Sequence, residues 1–128
     1  MLTVWNSKHA DTAAGLSVSD QGMYFWVMLE LVGKIREHSI RIHALPQNLF
    51  EVRRFIHNAG AAGLKDWWIK FSNPADPDPE IREIRVRVSP GDFCYLNVYP
   101  RESATLEHKV RKTELRELCE KVIQYFTI

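Results

Sequence analysis

Met23-Tyr24-Phe25-Trp26-Val27-Met28-Leu29-Glu30-Leu31-Val32 is apolar at nine of its ten positions, with only Glu30 as an interruption. At helical spacing Tyr24, Val27, Met28, Leu31 and Ile35 form one stripe, and Phe25, Leu29 and Val32 form a second beside it. Trp26, Glu30, Gly33, Lys34 and Glu37 are left on a narrow polar side. A helix this apolar is sunk in a core or pressed on a partner. A buried strand is the alternative, because periodicity does not separate the two in a run this short. The start signal decides for helix: Ser17-Val18-Ser19-Asp20 supplies capping oxygens, with Asp20 in the capping-box position relative to Ser17.

Outward from that stretch, Leu2-Thr3-Val4-Trp5 suits a short edge strand, and the small residues Ala10 to Gly15 lead into the first helix. That helix fades near Glu37-His38, and Ile40-Arg41-Ile42-His43 alternates like a short strand. Leu45-Pro46 opens a second helix with Pro46 in its first turn, a stripe of Leu49, Val52, Ile56 and Ala59 helped by Phe55, and an exit at Asn58 to Gly63. Trp67, Ile69 and Phe71 then alternate with Trp68 and Lys70 as a strand, which the three prolines of 73–79 stop. Ile84 to Val88 is the cleanest alternation in the chain. Ser89-Pro90-Gly91-Asp92 is a turn, and Phe93 to Tyr99 is a further strand ended by Pro100. Residues 103 to 112 fit either an early helical turn or a short strand. Thr113 caps a last helix with Leu115, Leu118, Cys119, Val122, Ile123 and Phe126 on one face. No internal repeat or dividing linker is visible. The expected architecture is a single α+β domain over residues 1–128: one antiparallel β-meander of three to five strands, with about three helices packed mainly on one face.

At 128 residues such a domain buries a core without metal or disulfide staples. Seventeen Lys and Arg against sixteen Asp and Glu leave a net charge of +1, which argues against a dedicated duplex-DNA binder. No basic leader precedes an apolar run, and the apolar stretch falls well short of the roughly 20 residues a spanning helix needs. A cytoplasmic protein with no membrane association is the expectation. Cys94 and Cys119 fall on a core strand and a core helix, where free buried thiols suit a reducing compartment. A disulfide between them is the alternative.

The 88–93 hairpin fixes which residues share a sheet face. With a three- or five-residue loop, Val88 opposes Cys94, Val86 opposes Leu96 and Ile84 opposes Val98, so the inner face is aliphatic. With a two- or four-residue loop the parity flips and arginines meet aliphatics. The first register is preferred. It leaves Trp68, Lys70, Arg85, Arg87, Tyr95, Asn97 and Tyr99 on the open face. Rings interleaved with cations suit a protein interface, where Trp, Tyr and Arg bury large areas and keep a polar handle. They also suit single-stranded RNA, whose bases stack on rings. The net charge and the lack of an RNP-like Gly-aromatic run favour protein.

Five histidines (His9, His38, His43, His57 and His108) have no spacing that specifies an acid–base pair, although His57 with Asp66, or His43 with His108, would make a nuclease-like one. Asp76, Asp78 and Glu80 alternate like calcium ligands, but Pro77 and Pro79 stiffen them and no glycine makes the tight turn. No Cys/His spacing suggests zinc, and no Gly-rich phosphate loop, GxSxG or HExxH run is present, so neither metal nor cofactor is expected. The sequence therefore points to a small non-enzymatic module that covers a partner protein, such as a toxin-neutralising immunity protein or an adaptor docking an effector. Contacts are expected at Trp68, Lys70, Arg85, Arg87, Tyr95, Asn97 and Tyr99, with Asp76 and Asp78 at the rim. A single-stranded RNA binder using the same face is the alternative, and a His-dependent nuclease or hydrolase the next. A homodimer through Trp26 is compatible with each.

Overall fold

Strands, not helices, occupy the first third of the chain. The computed structural model describes residues 2–20, 22–42, 50, 53, 54, 57, 66–70 and 80–127. Strands β1 (Leu2–His9), β2 (Thr12–Ser19), β3 (Gly22–Leu31) and β4 (Lys34–Ile42) form one antiparallel sheet in the order β1-β2-β3-β4. Strands β5 (Trp67–Lys70), β6 (Ile81–Val88), β7 (Phe93–Pro100) and β8 (Leu106–Arg111) form a second in the order β5-β6-β7-β8. Helix α1 (Lys112–Thr127) follows β8 directly.

The expected meander with about three helices is thus replaced by two four-stranded meanders, and among the described residues α1 is the one long helix. The apolar stretch at Met23 is the central strand β3. Its alternation is hidden because both sides are covered: Met23, Phe25 and Val27 are buried in the core, while Tyr24, Trp26 and Met28 are half-buried on the other face. A strand covered on both faces reads as a continuous apolar run. The presumed capping oxygens serve a hairpin instead. Ser19 pairs with Gly22 across a two-residue connection, and the Ser17 hydroxyl lies 3.2 Å from that of Thr3. Ser and Asp mark turns as strongly as helix starts, so the signal is shared.

At the far end, Leu31 pairs with Lys34 across Val32 and Gly33, whose φ values of 51° and 74° are those of a primed hairpin turn. Glu37 and His38, where the first helix was expected to fade, lie inside β4. Of the small residues before the stretch, Ala10 and Asp11 make the β1–β2 turn and Thr12 to Gly15 belong to β2. Gly15 there makes room for the Trp26 ring, which a Cβ at that position would overlap. Phe50, Arg53, Arg54 and His57 have helical backbone; the rest of the expected second helix lies outside the described residues.

Elsewhere the strand expectations hold. Leu2 to Trp5 begins edge strand β1 and Trp67 to Lys70 is β5; 106–111, which fitted either a helical turn or a strand, is the strand β8. The preferred hairpin register is the one found: Val88 opposes Cys94, Val86 opposes Leu96 and Ile84 opposes Val98. The inner faces of the two sheets meet in one core. Trp5, Leu16, Phe25, Val27 and Ile40 come from the first, and Ile84, Val86, Leu96, Val98 and Val110 from the second. β1 and β2 approach β8, and β4 approaches β6.

Helix α1 adds Leu115, Leu118, Cys119 and Val122 to this core, whereas Ile123 is 44% exposed and falls off the expected stripe. The helix starts at Lys112, one residue before the expected cap Thr113. The Arg111 N–H donates to Glu114 Oε1 at 3.2 Å, which is one half of a capping box. The Trp5 indole Nε1–H donates to the Glu114 carbonyl at 2.8 Å and ties the helix to β1. Both cysteines are free and buried; burial raises the Cys94 thiol pKa and pushes that of Cys119 up to about 12. Among the described residues no helix is long and apolar enough to cross a membrane.

Candidate functional site

Side chains two apart on a strand share a face, and antiparallel partners share it across strands. These rules assemble the outer face of the second sheet. Trp68 pairs with Arg85, Arg85 with Asn97 and Asn97 with Glu107. The next row is Arg87, Tyr95 and Lys109, and Phe93 pairs with Arg111. Glu83 pairs with Tyr99 on one side and Lys70 on the other. Trp68, Arg85, Arg87, Tyr95, Asn97 and Tyr99 are therefore brought together as expected. Lys70 sits in register with them, its side chain outside what is described, and Asp76 and Asp78 lie outside the described residues.

The cations do not simply extend into solvent. The Arg85 guanidinium lies 5.9 Å from the Trp68 ring centre and 5.3 Å from that of Tyr99, and Arg82 stands 5.8 Å from the same Tyr99 ring. Arg87 lies 4.7 Å from Tyr95, and Lys109 Nζ is 4.2 Å from Phe93. Such contacts are weak at exposed sites but fix the orientation of long side chains. Arg85 Nε–H also donates to Glu83 Oε1 at 2.9 Å. Glu83 is buried, and its hydrogen bond, then its charge, hold the Arg85 guanidinium above its ordinary pKa. Arg87 Nη2 donates to Glu107 Oε2 at 3.2 Å, with both side chains about half exposed. Arg82, Lys109 and Glu107 join the expected set, and Phe93 is on the same face as the preferred register requires. Once the register is right, Lys109 and Glu107 follow from the alternation of β8.

The histidines fall elsewhere. His108 is fully buried between the sheets, with Nδ1 2.8 Å from the Thr12 hydroxyl and Nε2 2.8 Å from that of Ser7. No substrate reaches it. His38 Nε2 lies 3.0 Å from Ser103 Oγ, and its Nδ1 is 3.9 Å from Glu80 Oε2. The order hydroxyl–imidazole–carboxylate is that of a nucleophilic triad, but the geometry is that of a seam. The same Glu80 oxygen accepts the Ser39 N–H at 2.8 Å, and 3.9 Å is too long for a hydrogen bond to His38. Nearby, Arg36 donates to the Ala104 carbonyl at 3.2 Å, stitching β4 to the β7–β8 loop. His9 is exposed on β1, with its ring 6.1 Å from that of Phe93, and His57 is exposed; His43 lies outside the described residues. Among the described residues no three His, Cys, Asp or Glu side chains gather to hold a metal ion. Neither a protein-family model, a curated protein nor a solved structure matches this chain.

Proposed function

We propose that this chain is a non-enzymatic protein-binding module that covers a partner's surface with the outer face of β5–β8, in the manner of an immunity protein or an adaptor. The observation that carries this reading is the set of cations held over rings, with Trp68 43% exposed and Arg85 and Arg87 about half exposed. Aromatic and arginine side chains held in place lose little entropy on binding, so more of the contact energy is left for affinity. The same contacts favour protein over single-stranded RNA: the rings of Trp68, Tyr95, Tyr99 and Phe93 each already carry a cation, which a stacking base has to displace. Free buried thiols at Cys94 and Cys119 fit action in a reducing cytoplasm.

The test is capture of partners from the native host by tagged protein, with and without nuclease, comparing wild type with Arg87→Ala/Tyr95→Ala. One stoichiometric protein that survives nuclease and is lost with the double variant supports the reading. The variant should keep its thermal stability almost intact, because the core is untouched and only contacts on the open face are lost. Recovery of nuclease-sensitive RNA would replace this reading with the RNA-binding one.

A further inference from the structure

We infer that the partner surface taken by this face is acidic, and that Glu107 occupies Arg87 until a partner carboxylate replaces it; this rests on the binding reading above. Among the described side chains, five cations, Arg82, Arg85, Arg87, Lys109 and Arg111, share the face and its edge with the carboxylates Asp66, Glu83 and Glu107; Lys70 is in register but its side chain is outside that count. That is a positive excess of two, in a chain whose whole net charge is +1.

Two of the carboxylates are committed to the fold. Glu83 is buried against Arg85, and Asp66 Oδ1 accepts the Val88 N–H at 2.9 Å. Glu107 is different. It is half exposed and meets Arg87 through a contact of 3.2 Å from one guanidinium nitrogen, so it leaves at small cost. The Arg87 guanidinium rests over the Tyr95 ring with further N–H donors at its edge, the arrangement that receives a carboxylate bidentately. Lys109, on the far side of Tyr95 in the same row, supplies a second cation for a neighbouring acidic group. An acidic protein surface thus finds fixed cations and one exchangeable internal carboxylate.

The experiment uses a fluorescently labelled poly-glutamate peptide, followed by polarisation at low ionic strength, with an uncharged Gly-Ser peptide as reference. Wild type binds the glutamate peptide and not the reference, Arg87→Ala weakens binding, and Glu107→Gln tightens it about two- to fivefold, the range that losing one exposed competing ion pair allows. Glu37→Gln, an equal change of net charge on exposed β4 of the other sheet, leaves the affinity unchanged. No preference for the glutamate peptide, or a gain no larger for Glu107→Gln than for Glu37→Gln, overturns the inference. If that happens while host capture still yields a protein lost with Arg87→Ala/Tyr95→Ala, only the acidic chemistry falls and the binding reading stands. Labelled oligouridylate displacing the peptide would overturn both.

Discussion

His108 on β8 and Thr12 on β2 join the two sheets through a 2.8 Å bond between Nδ1 and the hydroxyl, both side chains being buried. The Thr12 hydroxyl donates its single proton to the His9 carbonyl at 3.1 Å. It must therefore accept from His108, which places the imidazole proton on Nδ1. Nε2 is then the acceptor for the Ser7 hydroxyl at 2.8 Å. What disfavours the charged ring is its full burial between the sheets. Burial, opposed by Glu114 and assisted by His9, lowers its pKa from 6.5 to about 4.

Acid should therefore lower the stability of the fold from pH 6.5 downward, because the unfolded chain binds a proton at His108 before the folded one does. Unfolded His108 takes up a proton near pH 6.5 and folded His108 only near 4, so its contribution is fully present above 6.5 and is lost as pH falls between those values. The slope approaches about 1.4 kcal/mol per pH unit, with a total of roughly 3 kcal/mol. Urea unfolding at pH 7.5 and pH 5 should show about 2 kcal/mol of that loss. In Thr12→Val the Nδ1–H loses its partner, at a cost of about 1–3 kcal/mol at pH 7.5. A stability that does not change between the two pH values would show the ring to be solvated in solution.

Gly15 and Trp26 form a second dependent pair. Gly15→Ala puts a methyl group where the indole lies and should destabilise by about 1–3 kcal/mol, with a red-shifted tryptophan fluorescence as the ring is displaced. Trp26→Leu in the same chain should relieve part of that cost. Strict additivity of the two changes would show that the ring does not rest there.

Trp5 ties α1 to β1 by its indole N–H as well as by its buried area. Trp5→Phe keeps much of the packing but leaves the Glu114 carbonyl without this donor, at a cost of about 1–2 kcal/mol. The loss should concentrate in the helix. Hydrogen exchange of the α1 amides is expected to rise more than that of β3, whose neighbours β2 and β4 are untouched.

The two cysteines should not react with a thiol reagent in the native protein and should react fully, two per chain, in denaturant. A thiol raised by burial holds almost no thiolate at neutral pH, and the thiolate is the attacking species. Rapid labelling of the folded protein would mean that α1 undocks on the timescale of the assay.

The outer face of β5–β8 was legible in the sequence because strict alternation in Ile84–Val88 and Phe93–Tyr99 leaves only two parities, and only one keeps arginines out of the core. The C-terminal helix was legible for a similar reason: Leu115, Leu118, Cys119 and Val122 recur with the helical period and are buried together. The middle of the first sheet was not. β3 lies between β2 and β4 with side chains packed on both faces, so the alternation that marks a half-exposed strand is absent and Met23 to Val32 fits a buried helix equally well. What decided it was tertiary: Gly15 on the neighbouring strand offers the Trp26 ring a seat, and Val32-Gly33 turns the chain back with positive φ at both positions. The joint of Ser7, Thr12 and His108 was equally out of reach, since hydrogen bonds between residues about a hundred positions apart leave no local pattern. Periodicity records which face of an element meets water, whereas contacts on a doubly covered strand and across the core exist only once both sheets are in place.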